Sequence, residues 1–333
     1  MSRVDVIVPC YNYGHYLREC VQSVLSQEGV DVRVLIIDDC SPDNTPQVAA
    51  ELMSRDSRIE YRRHEKNIGH IATYNEGLEW ASGDYLMLLS ADDLLTPGAL
   101  DRAATVLDGH PEVGLTFGGV INVPRDSKAN YPAPVSTSRG YKVMSGPEFL
   151  ESICVSGDNP VPTPSVIVRR TVQAQVGGYR PELPHTGDLE MWMRFALRGG
   201  AAVIEADQAF YRLHSFNMHL HFTKKPVDGF LELKKLMEWF FHEHASRLPN
   251  AERRQVLACK GLAREAFWRA NRAYDLGLVE KCQELIDFAL TTDPEIRLSG
   301  NWTKYQWKRR MGPRIWSAVR PLVRRLRRRP CRS

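Results

Sequence analysis

Short apolar runs alternate with amphipathic segments along the first 123 residues, and this order constrains the possible folds more than any other feature. The runs VDVIVP (4–9), VRVLIID (32–38) and YLMLLS (85–90) are almost continuously apolar. Between them, apolar residues recur at helical spacing, as from Tyr13 to Gln27. Strands that are apolar on both faces and are joined by helices predict an α/β fold, Rossmann-like, with a mostly parallel sheet between flanking helices.

Other patterns extend this plan. Further strands are predicted at about 59–64, 113–123, 164–169, and as a pair at 201–206 and 208–213. Further helices are predicted near 45–54, 70–81 and 187–198, and after Thr96 and Ser145. Pro, Ser, Asn and Lys are frequent between residues 124 and 144, which is typical of an exposed loop, and Ser145 is a candidate N-cap for the helix that follows.

The C-terminal third is predicted to be helical beyond Pro226. One face of a helix between residues 251 and 275 is apolar, which favours core packing. Its apolar positions are Val256, Cys259, Ala263, Phe267, Ala270 and Tyr274. We therefore expect an α/β domain over residues 1–222 and a helical region over residues 223–333, with a basic tail from about residue 297.

Charge is unevenly distributed along the chain. Residues 296–333 contain 13 Lys and Arg and no Asp or Glu, which leaves 31 basic and 40 acidic residues before them. A basic tail is attracted to anionic surfaces, either the cytoplasmic face of a membrane or a nucleic acid. The overall content, 43% hydrophobic and 25% charged, is that of a globular protein and argues against disordered and fibrous classes.

The cysteines and the N-terminal sequence indicate the cellular compartment in which the protein is expected. The seven cysteines form no Cys-x-x-Cys pair, which argues against a disulfide framework and a zinc site. Neither a leader peptide nor an apolar stretch of spanning length is visible, so we expect a cytoplasmic protein, with peripheral contact at the inner membrane face left open.

Polar residues follow the predicted strands where each one ends. Pro9 to Asn12 follow the first strand, Asp38 and Asp39 end the second, and Asp92 and Asp93 follow the fourth. In open α/β sheets ligands bind beyond the carboxyl ends of the strands. We expect the site at this edge.

Five motifs contain these and later polar residues. They are VIVPCYNYGHYLRECVQSVLSQ (6–27), VLIIDDCSPDNT (34–45), HEKNIGHIATYNEGLEWASGDYLMLLSADD (64–93), GGYRPELPHTGDLEMWMRFALRGG (177–200) and FYRLHSFNMH (210–219). Sugar transfer from a nucleotide diphosphate needs a nucleotide pocket, a divalent cation and a base. The motifs present candidates in that order, and over residues 3–215 the chain resembles the inverting family 2 glycosyltransferases with the GT-A fold.

The resemblance implies a nucleotide-sugar pocket. Pro9, Tyr11 and Asn12 would contact the nucleotide, and Asp39 would hydrogen-bond a pyrimidine base. The family usually has Gly where Cys40 stands. A strand-ending role for Pro9 and a helix-capping role for Asp39 stay open.

Two residues of the third motif are assigned to the donor in the same way. Gly69 would allow close backbone approach near the diphosphate. Asn75 would bind the donor or fix its own helix onto the site, and a purely structural role for either residue stays open.

The metal ligands implied by the resemblance are Asp92, Asp93 and His214. Oxygen ligands suit Mn²⁺ or Mg²⁺, and substrate phosphates complete such a shell. Asp92 would also contact the nucleotide sugar. Ser90 replaces the first acid of the common family pattern. Capping of the helix near Thr96 by the two acids and a purely structural role for His214 stay open.

Asp188 aligns with the catalytic base of the family. It would deprotonate the acceptor hydroxyl as the oxygen attacks the anomeric carbon. Gly187 stands where the family usually has another acid. The alternative makes Asp188 a helix cap with Glu190 on the surface.

These observations predict inverting transfer from a nucleotide-diphosphate sugar to an acceptor hydroxyl on a glycan, a lipid-linked sugar or a protein, in cell-surface polysaccharide or glycan biosynthesis. A nucleotide-sugar-binding protein with weak or lost catalysis is one alternative. Another is membrane or nucleic-acid binding through the tail, with nucleic acid disfavoured because the tail also carries apolar and aromatic residues that suit a membrane surface. A nucleotidyltransferase would be expected to have a Gly-rich basic loop, which residues 9–20 lack.

Overall fold

The computed structural model describes residues 1–124, 131–134, 136–215, 217, 226–313, 315, 316 and 319 of the 333-residue chain. The chain divides into two compact units. The sheet unit comprises residues 1–150 and 159–216, and the helical unit comprises 151–158 and 217–333. The assignment of separate domains to residues 1–222 and 223–333 stays a prediction.

The sheet unit contains nine strands within the described residues. They are β1 (Arg3–Cys10), β2 (Asp31–Asp38), β3 (Ile59–Arg63), β4 (Tyr85–Leu88), β5 (Leu94–Leu95), β6 (Val113–Pro124), β7 (Thr137–Met144), β8 (Ile167–Arg169) and β9 (Gly200–Leu213). Their order is β3-β2-β1-β4-β8-β6-β9-β5, and β7 also pairs with β9. The first four strands in that order are parallel, and the other half of the sheet is mixed.

Seven helices accompany the strands in the described sequence up to residue 196. They are α1 (Gly14–Leu25), α2 (Thr45–Arg55), α3 (His70–Trp80), α4 (Ala99–Gly109), α5 (Gly146–Ser156), α6 (Arg170–Val176) and α7 (Gly187–Ala196). The apolar strand residues are inaccessible to solvent, as Val6 and Ile36 show. The predicted α/β class is thus confirmed, because burial of both faces requires helices on both sides of the sheet.

The parallel register brings the carboxyl ends of three strands together. Cys10 of β1 pairs with Asp38 of β2, and Ile7 pairs with Leu88 of β4. Beyond these pairs, the amide of Asp39 donates to the Cys10 carbonyl at 3.0 Å and the amide of Ala91 donates to the Pro9 carbonyl at 3.3 Å. The loops after β1, β2 and β4 therefore share one edge of the sheet.

Two predictions about the second half of the sheet are wrong. The expected strand pair at 201–206 and 208–213 is one 14-residue strand, β9. Its register against β6 skips two residues between Ile204 and Asp207, so the polar residues taken for a turn form a bulge. The expected loop at 124–144 contains β7, an edge strand whose polar, exposed residues conceal its pairing with β9.

Ser145 begins α5 with a capping box, as the sequence predicts. Its amide donates to the Glu148 carboxylate at 2.8 Å, and the Glu148 amide points back to the Ser145 hydroxyl oxygen at 3.5 Å. This reciprocal pair supplies partners for two amides at the start of the helix.

The helical unit contains α8 (Pro226–His244), α9 (Ala251–Asp275), α10 (Val279–Thr292) and α11 (Gly300–Met311). The predicted apolar face of α9 is buried from Ala263 to Tyr274, but Val256 is 56% exposed and lies outside it. Within the described residues no helix combines the length and apolarity required to cross a bilayer.

Candidate active site

Asp38 and Asp39 have different surroundings at the end of β2. Asp38 is buried and accepts hydrogen bonds from the Ser41 amide at 2.7 Å and the Tyr61 hydroxyl at 2.9 Å, so it stabilises the turn. Asp39 is also buried, and its carboxylate accepts from the amides of Ile68 and Gly69 at 2.8 and 2.9 Å. Asp39 therefore joins the β2 end to the segment that begins α3.

Cys40 lies in the turn between β2 and α2, in a backbone conformation that favours glycine. Its φ is +61°, in the left-handed region that costs a side-chain-bearing residue about 1–2 kcal/mol. A glycine would adopt this conformation without that cost. The backbone of the turn thus keeps the shape that the family motif implies, although the residue differs.

The loop after β1 lies beside the same turn. The amide of Asn12 donates to the Ser41 hydroxyl oxygen at 3.0 Å, and Asn12 has φ +61°. Tyr11 is 49% exposed, and Pro9 is half-buried. The three residues assigned to the nucleotide therefore form one wall at the sheet edge, with the Tyr11 ring available to a ligand.

Gly69 lies beside open space, whereas the Asn75 side chain is bonded to a neighbouring segment. Gly69 has φ +88°, and a Cβ at this position would meet nothing within 4 Å, so a ligand has room to approach the backbone. The Asn75 side chain accepts from the Tyr179 amide at 2.7 Å and donates to the Tyr179 carbonyl at 2.9 Å. Asn75 thus holds the segment before α7, and its contact with the donor stays a prediction.

The residues assigned to the metal lie at the ends of β4 and β9. His214 Nε2 is 2.9 Å from Asp92 Oδ2, and both side chains are nearly inaccessible. Asp93 accepts from the backbone amide of Arg212 at 3.2 Å. Burial and the neighbouring charge of Asp92 raise the pKa of Asp93 well above its ordinary value. Asp92 and His214 therefore meet directly, and Asp93 ties the β4 end to β9.

The acidic and imidazole side chains at these strand ends offer a cation two ligands. Among the described residues, no group of three or more His, Cys, Asp or Glu side chains is placed to hold a metal ion. One carboxylate and one imidazole, Asp92 and His214, do offer the oxygen and nitrogen ligands that Mn²⁺ accepts. These two adjacent side chains would fit a cation whose remaining ligands come from a substrate, and their role as ligands stays a prediction.

Asp188 lies in the first turn of α7 and is held by two hydroxyl groups. Thr163 Oγ1 donates to Asp188 Oδ2 at 2.7 Å, and the Tyr179 hydroxyl is a second hydrogen-bond partner. Burial raises the pKa of Asp188 above its ordinary value, although both hydrogen bonds and the nearby His70 lower it. A carboxylate with a raised pKa is suited to accept a proton.

Tyr74 connects the two acidic parts of the site. Its ring centroid is 5.4 Å from that of Tyr179, the hydrogen-bond partner of Asp188. Burial raises the pKa of the Tyr74 phenol, and the charges of Asp188, Asp92 and Asp93 raise it further. The three acids therefore lie close enough to Tyr74 for their charges to act on its phenol.

Glu190 is inaccessible to solvent, so the alternative that placed it on the surface is wrong. It accepts from Arg194 Nε at 2.8 Å and from Arg180 Nε at 3.1 Å. Arg194 also donates to the carbonyls of Val176 and Gly178. The cluster thereby fixes the segment that carries Tyr179 towards Asp188.

We expect Glu190→Ala to destabilise the protein by about 3–5 kcal/mol, because Arg194 would remain buried without its carboxylate partner. Urea unfolding at pH 7 would measure the loss. The matched control is Glu182→Ala, since Glu182 is exposed. A loss of under about 1 kcal/mol, the range of surface substitutions, would contradict the role given to this cluster.

Three contacts that hold the acids of the site are not predicted from the sequence. Thr163 and Tyr179 bond Asp188, and His64 bonds Asp39. Thr163 carries no motif signal, because it comes from a 3₁₀ turn (Thr163–Ser165) outside the five motifs. Tyr179 and His64 lie inside two of the five motifs. Two glycines precede Tyr179, and His64 directly follows the end of β3, which are the sequence features that mark these positions.

The hydrogen bond from Thr163 to Asp188 should affect the pH dependence of turnover. A base must be ionised, so activity falls as pH decreases through the raised pKa of Asp188. Thr163→Val removes a bond that lowers this pKa, and we expect the acidic limb of the kcat profile to move up by about one pH unit. Thr163→Ser, which keeps a hydroxyl, is the control. An unchanged limb in the Val variant would contradict this contact.

The fold and the edge it exposes define a class of protein, the sugar transferases with a GT-A-type sheet. Residues 5–164 match the family model described as Glycosyl transferase family 2, so this part of the chain is a family 2 glycosyltransferase domain. It is therefore a glycosyltransferase. This confirms the family and the enzyme class that the motifs predict.

Two known proteins are similar to this chain over most of its length. An uncharacterized protein of Mycobacterium tuberculosis is 25% identical over 256 residues, which cover 75% of this chain and 78% of that protein. The crystal structure of S. aureus TarS 1–349 in complex with UDP-GlcNAc has a TM-score of 0.63 at 18% identity and covers 88% of this chain and 82% of its own.

A second solved structure extends further along the chain. The mannosyltransferase PcManGT from Pyrobaculum calidifontis, in complex with GDP-Man and Mn²⁺, has a TM-score of 0.52 at 17% identity. It covers 96% of this chain and 87% of its own. At these identities the two structures establish the GT-A fold class.

Proposed function

We propose that this glycosyltransferase transfers a sugar from a nucleotide diphosphate to an acceptor hydroxyl with inversion at the anomeric carbon, and that Asp188 is the base. The observation that carries the proposal is the pair of acidic groups that the fold builds, the Asp92–His214 contact at 2.9 Å after β4 and the Asp188 carboxylate that Thr163 holds at 2.7 Å in α7. A direct displacement requires a base for the attacking hydroxyl and a partner for the leaving diphosphate, on opposite sides of one carbon.

The donor would lie along the edge formed by the loops after β1, β2 and β4. Asp39 offers a fixed carboxylate to the nucleobase, and Tyr11 offers an exposed ring. Gly69 leaves room for the diphosphate, as the open space at its missing Cβ indicates. The complexes of TarS with UDP-GlcNAc and of PcManGT with GDP-Man support a donor of this class.

The divalent cation, Mn²⁺ or Mg²⁺, would be held by Asp92 and His214, with Asp93 as the neighbouring acid. When bound, such an ion neutralises the negative charge that develops on a leaving diphosphate. The Mn²⁺ in the PcManGT complex supports this choice. Ser90 adds no carboxylate, so the charge of the site comes from the two acids after it.

Asp188 would take the acceptor proton. Its carboxylate is held by Thr163 and Tyr179, so it has one orientation, and its raised pKa strengthens it as a base. Direct attack by the deprotonated oxygen forms the new glycosidic bond as the bond to the diphosphate breaks. The acceptor would be a glycan, a lipid-linked sugar or a protein, in the biosynthesis of cell-surface polysaccharides or other glycans.

The test is turnover of a panel of UDP- and GDP-sugars with Mn²⁺. Release of nucleoside diphosphate is measured with water or simple alcohols as acceptors, and NMR identifies the first anomer formed. We expect one donor to be consumed and an α-linked donor to give a β product. Retention of the α configuration would contradict inversion. Binding of a donor without turnover in the presence of varied acceptors would favour the alternative of a nucleotide-sugar-binding protein.

We also propose that the basic tail contacts an anionic membrane surface. The last turn of helix α11 contains three basic residues, and the helix carries Trp307, which is 56% exposed. An aromatic ring among cations is typical of membrane interfaces. Residues 320–333 of the tail lie outside the described residues.

Vesicle binding tests this contact. Replacing the five arginines of RRLRRR (324–329) with glutamine should reduce sedimentation with phosphatidylglycerol vesicles at low salt, by about 1 kcal/mol for each charge near the surface. Vesicles of phosphatidylcholine alone are the control. Equal binding of the variant and the unaltered protein would contradict the proposal, and tighter binding to duplex DNA than to vesicles would favour the nucleic-acid alternative.

A further inference from the structure

His64 lies between two carboxylates beside the predicted nucleotide pocket. Its Nδ1 is 2.8 Å from Asp39 Oδ1, and its Nε2 is 2.7 Å from Glu76 Oε2. The side chain is 12% exposed. An ionised carboxylate can only accept hydrogen bonds, so both ring nitrogens must carry a proton. The geometry therefore favours the imidazolium form of His64.

Charged side chains from β2, β3 and α3 surround His64. Asp39 reaches it from the end of β2 and Glu76 from α3. Arg62 on β3 contacts the other oxygen of Glu76 at 3.5 Å. The neighbouring Asp38 is engaged by Tyr61 and by an arginine of β3, so its charge is already balanced. Two carboxylates with one competing cation leave a net negative field at His64.

The pKa of His64 agrees with this arrangement. Burial lowers it, but the hydrogen bonds to Asp39 and Glu76 outweigh burial and raise the pKa above its ordinary value of 6.5. A group whose pKa is raised by its partners keeps those interactions below that pKa and loses them as the pH rises through it. The bridge is therefore strongest under mildly acidic conditions and fails under alkaline ones.

Loss of the second proton would act on Asp39. The neutral ring keeps one N–H, and its other nitrogen then places a lone pair against a carboxylate oxygen, so one of the two bonds must break. If the bond to Asp39 breaks, its carboxylate retains only the amides of Ile68 and Gly69, which belong to the segment before α3. If the bond to Glu76 breaks, His64 loses its anchor on α3. In either case the Asp39 carboxylate loses its link to Glu76.

We propose that His64 is a positioning residue whose imidazolium holds the Asp39 carboxylate in place for the donor's nucleobase, so that donor affinity falls as His64 loses its proton. This inference rests on the proposed function, because it assigns Asp39 to the donor. It predicts a pH dependence opposite to that of the base. Deprotonation of Asp188 raises turnover, whereas deprotonation of His64 weakens donor binding, and kcat/KM is consequently bell-shaped.

The test is the affinity of UDP, measured by calorimetry with Mn²⁺ from about pH 5.5 to 8 in three proteins. In the unaltered protein we expect Kd to rise about tenfold across the titration of His64, the effect of one charge-assisted hydrogen bond. Glu76→Gln removes one carboxylate, so the same rise should occur at lower pH. His64→Gln should bind UDP with no such rise. Asp92 and His214 are the same in all three proteins, so an effect of pH on metal binding cancels in the comparison.

A second readout needs no ligand. NMR titration of the His64 ring should give a midpoint above 6.5 in the unaltered protein and a lower midpoint in Glu76→Gln, and both proteins should unfold at similar temperatures at pH 6. A midpoint at or below 6.5, or a His64→Gln variant that keeps the full pH dependence of UDP binding, would overturn the inference. If neither UDP nor GDP binds at any pH while the NMR midpoint is raised, the proposed function and the link of His64 to it both fail, whereas the charge of His64 stands.

Discussion

Asp188→Asn should lower kcat for sugar transfer by about 10²–10⁴-fold, the contribution typical of a general base, and should leave the Kd of the donor unchanged. Asparagine is nearly isosteric and can still accept the hydrogen bond that Thr163 donates to Asp188 Oδ2 at 2.7 Å. It cannot take a proton from the acceptor. The effect would thus appear in turnover, measured by nucleoside diphosphate release at saturating donor, and not in donor binding.

The control for this variant is Glu182→Gln, which removes another acid of the same motif at an exposed position. It should behave like the unaltered protein. A residual kcat within a few-fold of normal in Asp188→Asn, with intact folding, would assign the proton transfer to another group. A large change in donor Kd would instead place Asp188 among the donor contacts.

Asp92→Asn should lower kcat/KM by about 10²–10³-fold at a fixed Mn²⁺ concentration, since a divalent cation contributes several kcal/mol of charge stabilisation in reactions of this class. The asparagine keeps an acceptor for His214 Nε2, which lies 2.9 Å from the present carboxylate. It loses the charge that would hold the cation. Activity should therefore be restored in part by raising Mn²⁺, which a titration of rate against Mn²⁺ measures.

Asp31→Asn is the matched control, because Asp31 is an exposed acid at the start of β2, at the opposite end of that strand from the site. Its Mn²⁺ dependence should be normal. An Asp92→Asn variant with unaltered Mn²⁺ dependence would contradict the assigned ligand. Full activity of the unaltered protein in the presence of a chelator would contradict metal use altogether.

The parallel half of the sheet could be predicted because local pattern determines it. The runs that form β1, β2 and β4 are apolar on both faces, and only a buried parallel strand satisfies that pattern. The second half depends on pairing between distant segments. A bulge near Asp207 resembles a turn in sequence, and a polar edge strand such as β7 resembles a loop.

The residues of the candidate site also divide into those that the sequence predicts and those that it does not. The acids at strand ends follow from topology, so Asp39 and Asp92 could be assigned to one edge before the structure was known. Their partners could not, because the contact between Asp92 and His214 spans 122 positions and that between Thr163 and Asp188 spans 25. Whether a carboxylate carries a proton depends on such partners and on burial.

In our proposal, one site binds a nucleotide sugar through a metal held by Asp92 and His214. Thermal unfolding of the purified protein with a panel of nucleotide sugars, with and without Mn²⁺, tests it most directly. We expect one donor to raise Tm only when Mn²⁺ is present, because ligands that bind the folded state stabilise it, and we expect Asp92→Asn to abolish the rise. A rise of equal size without Mn²⁺, or in the Asp92→Asn variant, would contradict the claim.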